Sequence, residues 1–216
     1  MATAEVPVDL CNPGQVFACL GIAEAAEVLL GGVRAGFAWS ERECLFRVTA
    51  RGEESPVEQV LEFLQSAEVA VLCPVGNRPD LATWRIGCVE SGDGSVFGVP
   101  FDHSAATLPA VLRRGDSQLV VDHWGDGTRR DSAKFWAGAG GKPGACFLRD
   151  ALALVRENSL RAAVADPLNV ASSGSSGLRM DRRSGYVPLD TGFSLNKHTG
   201  KMEIAVFPFV EILAAI

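Results

Sequence analysis

A short apolar strand passes into a helix at Val6-Pro7-Val8-Asp9-Leu10-Cys11-Asn12-Pro13-Gly14-Gln15. Asn12 is suited to cap the helix, Pro13 fits its first position, and Gln15 stands three residues after the cap, as a capping box requires. Apolar residues then recur at near-helical spacing, and Gly31-Gly32 ends the pattern. The sequence therefore predicts a strand followed by one long helix.

Two strands, a second helix and a further strand follow in the sequence. Gly36–Trp39 and Cys44–Thr49 have strand character, and Glu68–Cys73 predicts a buried strand. Ser55-Pro56-Val57-Glu58 is a second capping box, and it opens an amphipathic helix. The order strand, helix, strand, strand, helix, strand is that of the ferredoxin-like split βαβ motif. We therefore predict an α+β fold with a ferredoxin-like module over residues 1–75.

The remainder of the chain divides into two parts. Residues 76–117 contain many Pro and Gly breakers, which predict an irregular connector with a hairpin turning at Ser91–Gly94. Residues 118–216 predict a second α+β half, which we interpret as an incomplete copy of the first module with further residues expected beyond Ile216. Its predicted elements are a strand at 118–122, a helix at 144–156, paired strands at 178–181 and 186–191, a strand at 202–207 and a helix from Pro208.

Composition narrows the class of protein. Hydrophobic residues make up 47% and charged residues 21%, which is typical of a globular protein with a real core. No apolar run approaches the roughly 18 residues of a membrane span, and no secretory signal begins the chain, so we expect a cytoplasmic protein without a membrane partner. The six Cys include no C-x-x-C pair, which favours reduced thiols. We expect neither a metal nor a cofactor.

Charge is distributed unevenly along the chain. The net charge is −6, but residues 1–80 carry 5 Lys+Arg against 12 Asp+Glu, whereas residues 122–201 carry 12 against 8. The difference is 5 − 12 = −7 for the first range and 12 − 8 = +4 for the second. A basic second half is compatible with a nucleic-acid partner even though the whole chain is acidic.

The stretch from Asp122 to Gly144 has the most unusual composition. Two of the four Trp lie in it, with three cationic side chains between them, and a glycine-rich loop then leads into a predicted helix. Arg and Lys can contact phosphates, Trp can stack on unpaired bases, and the free N–H groups of a helix N-terminus can bind an anion. The predicted nucleic-acid-binding residues are Trp124, Arg129, Arg130, Lys134, Trp136, Lys142, Arg182 and Arg183.

Other interpretations of these residues remain open. The Trp side chains could instead pack in the core, and each Arg pair could belong to an ordinary solvated turn. The glycine-rich loop is not a P-loop, because Trp136 stands in place of the first Gly and Pro143 in place of the Ser or Thr. A nuclease using His123 with Asp122 or Asp126 is a further alternative, although no recognised catalytic motif is present.

Four segments resemble a known family. Val8–Gly21, Asp122-His123-Trp124 with Lys134–Gly138, Met180–Arg183 with Leu189–Asn196, and Pro208–Ala215 are similar, in this order, to a small protein of type I-U (also called I-G) CRISPR operons. That family is treated as a diverged large-subunit or RAMP-like component of the effector complex. The similar segments span almost the whole chain.

The resemblance implies a non-enzymatic subunit that assists guide RNA or target DNA binding in antiviral defence. Its expected partners are the other effector subunits, the guide RNA or target DNA, and a helicase-nuclease. In guided effectors base pairing reads the sequence, and the protein holds backbones and short flanking motifs. An alternative is a protein-interaction module that links the effector to its helicase-nuclease through the acidic first half.

Overall fold

The computed structural model describes residues 1–40, 43–76, 82–91, 110–122, 144–174, 177–184 and 205–216. These residues form an α+β fold, which confirms the predicted class. The elements in chain order are β1 (Ala2–Val8), α1 (Pro13–Leu30), β2 (Arg34–Trp39), β3 (Cys44–Ala50), α2 (Pro56–Ser66), β4 (Glu68–Pro74), a 3₁₀ turn (Ala82–Trp84), β5 (Gly87–Ser91), β6 (Ala110–Arg114), β7 (Ser117–Val121), α3 (Gly144–Arg156), α4 (Leu160–Ala165), β8 (Ser172–Ser173), β9 (Ala205–Val206) and α5 (Pro208–Leu213).

The first sheet contains three antiparallel strands in the order β1-β3-β2. Because β1 and β2 are both antiparallel to β3, they are parallel to each other, and α1 connects them across β3. Val6 and Phe37 both lie opposite Phe46, and the two Phe rings have centroids 5.2 Å apart. This arrangement is a split βαβ unit, and its order of elements is the predicted one.

The second sheet has the strand order β5-β4-β6-β7. β4 runs parallel to β5 and antiparallel to β6. A complete ferredoxin-like sheet would place β4 next to β1, but in the described residues β4 lies between β5 and β6. Only the element order, and not the full pairing, therefore follows the predicted motif.

The hairpin of β6 and β7 was not predicted as a hairpin. The sequence predicted β7, but it placed the β6 residues in the irregular connector. β6 begins with Ala110, Val111 and Leu112, all buried, so it lacks the alternation that marks a half-exposed strand. Gly115, with a φ of 57°, turns the chain into β7. The predicted turn at 91–94 lies largely outside the described residues.

Part of the second half differs from the prediction. The residues predicted as a strand at 178–181 have no regular structure, although a turn does follow at 182–184. Within the Ser/Gly-rich stretch at 171–177, where no element was predicted, Ser172–Ser173 pairs with Ala205–Val206. The predicted strand partner at 186–191 lies outside the described residues. The segment at 178–181 instead makes side-chain and backbone contacts with two helices, as described below.

One hydrophobic core runs through the described chain. Buried residues from all three predicted parts, such as Ile22, Leu112 and Leu152, belong to a single cluster. α1 packs against α2 and α5, and α5 also packs against α3. α1 has the length and apolar composition of a helix that could span a membrane, properties that core helices of soluble proteins share, and one of its faces is packed inside the fold.

Glycine permits the close crossing of α1 and α5. A Cβ atom on Gly21 would lie 1.8 Å from the backbone oxygen of Leu213. Such a distance is far below van der Waals contact, so any side chain at this position would force the helices apart. The last described turn of the chain, including Ile216, is buried beside this crossing.

Candidate functional site

Six of the eight predicted nucleic-acid-binding residues lie outside the described residues. They are Trp124, Arg129, Arg130, Lys134, Trp136 and Lys142. His123 and Asp126 of the nuclease hypothesis lie outside them as well. Asp122 is the last described residue after β7, and Gly144 is the first residue of α3. Arg182 and Arg183 are therefore the two predicted site residues whose environment is known.

Arg183 is held in place by contacts on all sides of its guanidinium group. Its Nε donates to Asp181 Oδ1 at 3.0 Å, and its Nη2 donates to Asp181 Oδ2 at 2.6 Å. The Nη atoms also donate to Asn169 Oδ1 and to the Leu168 carbonyl oxygen, both at 2.6 Å. The guanidinium lies 3.6 Å from the centroid of the Phe207 ring. With its donors used internally, Arg183 is a structural residue of the fold.

Arg182 has a different environment. Its Nη2 donates to Asp9 Oδ2 at 2.9 Å, and the side chains are 55% and 46% exposed. An ion pair this exposed contributes little stability and can exchange for another anion at small cost. Of the two adjacent arginines, Arg182 is therefore the one that can reach a phosphate.

Arg183 belongs to a polar cluster of five residues, which are Asn12, Asp181, Arg183, Ser184 and Glu211. Asn12, Asp181 and Glu211 are at most 2% exposed. Buried polar groups are costly unless they are hydrogen-bonded, so the partners of each member determine whether the cluster stabilises the fold.

Asn12 joins the start of α1 to the turn at 181–184. Its Oδ1 accepts from the Gly14 N–H at 3.2 Å, which caps the helix as the sequence predicted. Its Nδ2 donates to Asp181 Oδ1 at 3.0 Å. A Cβ atom on Gly14 would lie 2.3 Å from the Met180 backbone oxygen, so glycine at this position permits the close approach. Gln15 was predicted to complete the capping box, but its Oε1 accepts from the Asp9 N–H at 2.7 Å instead.

Glu211 joins the same turn to α5. One carboxylate oxygen accepts from the Met180 N–H at 2.9 Å, and the other accepts from the Asp181 N–H at 3.2 Å and from Ser184 Oγ at 2.8 Å. The side chain lies in the first turn of α5, where a negative charge also interacts favourably with the helix dipole. Each carboxylate oxygen therefore has at least one donor.

The two carboxylates of the cluster differ in their electrostatics. Burial acts to raise the pKa of Asp181, but the hydrogen bonds and charge of Arg183 and the amide of Asn12 outweigh it, and the pKa lies below its usual value. Burial raises the pKa of Glu211, only partly offset by its hydrogen bonds, and the nearby Asp181 charge raises it further. The pKa values of the two carboxyls are therefore shifted in opposite directions, and Arg183 is the charged partner of Asp181.

The cluster has the chemistry of a structural junction. It connects the N-terminus of α1, the turn at 181–184 and the N-terminus of α5, and its donors and acceptors are used within the fold. Among the described residues, no group of three or more His, Cys, Asp or Glu is placed to hold a metal ion.

Sequence reasoning recognised Asn12 as a cap but missed Asp181 and Glu211. The signal in the sequence was the isolated Glu within the apolar run Pro208-Phe209-Val210-Glu211-Ile212-Leu213. A lone charge in a buried segment implies a buried partner, since Glu is almost never fully buried alone. Arg183 was predicted, together with Arg182, to bind nucleic acid because cationic side chains can contact phosphates, and its ion pair with Asp181 was not predicted.

Comparison with known proteins gives no relative. The chain matches no protein-family model, no curated protein and no solved structure.

Proposed function

We propose that the chain is a non-enzymatic subunit of a type I-U (I-G) CRISPR effector complex, and that it contacts guide RNA or target DNA. The contact surface consists of residues 122–144 together with Arg182. The proposal rests on the resemblance in four segments of the sequence, and two properties of the described residues support it.

The first supporting property is the convergence of three of the four similar segments, and this observation carries the proposal. Asn12 comes from the first segment, Asp181 and Arg183 from the third, and Glu211 from the last. The chain brings these distant residues into one polar cluster, with Asn12 and Asp181 in direct contact across 169 positions. Three of the segments that carry the resemblance therefore also share a structural role in this chain.

The second supporting property is that Arg182 and Arg183 have different roles. Arg183 fixes the turn from inside, and Arg182 is presented on the outside against Asp9. A phosphate can replace an exposed carboxylate as the partner of Arg182 with little penalty, because both present oxygen acceptors to the guanidinium. A rigid turn that carries one exposed arginine suits backbone contact without sequence readout.

We propose that β1, α1, β2 and β3 belong to a RAMP-like, ferredoxin-like module, and that the rest of the chain has diverged from it. The split βαβ pairing of the first three strands supports this interpretation. The pairing of β4 with β5 and β6 would then be the point of divergence.

The experiment that tests the proposal is nucleic-acid binding by the assembled complex. Arg129, Arg130 and Arg182 are changed together to Ala, and Arg183 is kept because its loss would disturb the fold. A matched control changes three other arginines, Arg34, Arg113 and Arg114, which are exposed elsewhere. Electrophoretic binding of the guide RNA and of target DNA is measured for both.

We expect weaker binding with the first triple variant and unchanged binding with the control, with normal co-purification of the other subunits in both cases. Equal binding by the two variants and the unmodified protein would contradict the proposed surface. Failure of the chain to co-purify with the effector subunits under any condition would contradict the proposed function itself.

A further inference from the structure

In the part of the chain that the structure describes, no strand pairs with the outer edge of the first sheet. β2 is the edge strand, and four of its six residues are exposed, including Arg34 and Trp39. Trp39 is 70% exposed, the largest exposed fraction of any aromatic side chain in the described residues. β1, at the opposite edge, contains Pro7 and Glu5, which hinder pairing with another strand. β2 has no Pro, and its one charged residue, Arg34, stands at its first position, so the rest of the strand lacks these protections.

The side chains of β2 divide cleanly between its two faces. Ala35, Phe37 and Trp39 share the face on which Phe37 meets Phe46, which is the core face of the sheet. Gly36 and Ala38 lie on the opposite face. On the core face, this edge strand therefore presents one small apolar residue, Ala35, followed by two large ones, Phe37 and Trp39.

This pattern is self-complementary in one symmetric register. If two β2 strands pair antiparallel about a two-fold axis at Phe37, Phe37 lies opposite its own copy and Trp39 lies opposite Ala35. On the core face Trp39 then meets Ala35 and the two Phe37 side chains meet at the axis. Gly36 meets Ala38 on the other face, so no like charges face each other. In this register, paired side chains point to the same side of the sheet. The core faces of both sheets therefore stay on one side, and the hydrogen-bond ladder continues.

We infer that β2 is an interface for a second copy of this chain, which joins the two three-stranded sheets into one six-stranded sheet. Trp39 is the anchor of this interface, and it packs over Ala35 of the second copy. Tryptophan is enriched among residues that dominate binding energy.

The size of the interface sets its strength. A six-residue strand is about 20 Å long. One such strand and one Trp on each side bury an area at the low end of specific interfaces, below about 1,200 Å². The dimer is therefore weak and reversible, and its population rises with protein concentration. This inference is independent of the proposed function. The interface is formed by β2, at the other edge of the sheet from β1, and it includes none of residues 122–144.

The register is tested by a position-specific disulfide. Phe37→Cys is compared with Ala38→Cys, both in a background in which exposed Cys11 is changed to Ser. Residues directly opposite in an antiparallel pair have Cβ atoms about 4.5–5.5 Å apart, whereas position 38 lies one diagonal away from its own copy, at about 7–8 Å. We expect oxidised dimers from Phe37→Cys and monomers from Ala38→Cys, with circular dichroism confirming that both variants are folded.

A second measurement keeps the inference testable if Phe37→Cys fails to fold. Sedimentation velocity is carried out over protein concentrations from about 1 µM to 1 mM. We expect a concentration-dependent dimer that weakens about tenfold in Trp39→Lys and is partly restored when Ala35→Glu is added, because Glu and Lys then lie opposite each other across the two-fold. A monomer at every concentration, or equal crosslinking at positions 37 and 38, would overturn the inference.

Discussion

Replacing Asp181 with Ala is the perturbation that most sharply probes the polar cluster. The substitution removes the acceptor for Asn12 Nδ2, for the Arg183 N–H and for the Arg183 guanidinium. Removing one member of a buried ion pair costs about 3–5 kcal/mol, because the other charge stays buried without its partner. The Arg183 side chain is 30% exposed, so water recovers part of this cost, and we expect a loss near the lower end, about 3 kcal/mol.

The assay is equilibrium unfolding in urea, with the free energy of unfolding extrapolated at an unchanged m value. Arg182→Ala is the matched control, since its ion pair with Asp9 is exposed and its loss should cost less than about 1 kcal/mol. The stabilisation by Asp181 is present above the unfolded pKa near 3.9 and is lost as pH falls through its lowered folded pKa. Equal losses of unfolding free energy in Asp181→Ala and Arg182→Ala would refute the conclusion that Asp181 belongs to a buried junction.

Three further predictions follow from the packing and from the other buried groups. Gly21→Ala should lower the free energy of unfolding by about 2 kcal/mol despite the better helix propensity of Ala, whereas Gly36→Ala, with no atom within 4 Å of the new Cβ, should be nearly neutral in thermal melts. Glu211→Gln should destabilise the protein more at pH 4 than at pH 8 in urea titrations. The pKa of Glu211 is raised in the folded state, so the stability that the native Glu contributes is lost as pH rises above about 4.3, its unfolded pKa. The Cys11 thiol is exposed and should react rapidly with a thiol reagent, whereas Cys19, whose pKa is raised to about 12 by burial and by Cys44, should react only on unfolding.

Local signals predicted the N-terminal elements because helix starts and strand alternation are short-range properties. Asn12 with Pro13 fixed the start of α1, and Ser55, whose side chain accepts from the Glu58 N–H, fixed the start of α2. The partner of β4 was not predictable in the same way. Strand pairing depends on contacts between distant segments, and β6 carries no alternating pattern because its first three residues are all buried.

The polar cluster shows the same division between local and long-range information. Asn12 was recognisable as a cap from its neighbours alone. Asp181 and Arg183 were not recognisable as buried partners, because the contacts that bury them come from α1, from Leu168 and Asn169, and from Phe207. An adjacent arginine pair in a polar turn has the same local sequence whether one member points inward or both point to solvent.

The proposed function is tested most directly by the salt dependence of guide-RNA binding to the assembled complex. Each phosphate contact on a single strand contributes a slope of about 0.7 in the logarithm of affinity against the logarithm of salt concentration. We expect that changing Arg129, Arg130 and Arg182 together to Ala reduces this slope by about 2, while the control at Arg34, Arg113 and Arg114 leaves it unchanged. The same slope in both variants and in the unmodified complex would contradict the proposal that this chain contacts the nucleic acid through these residues.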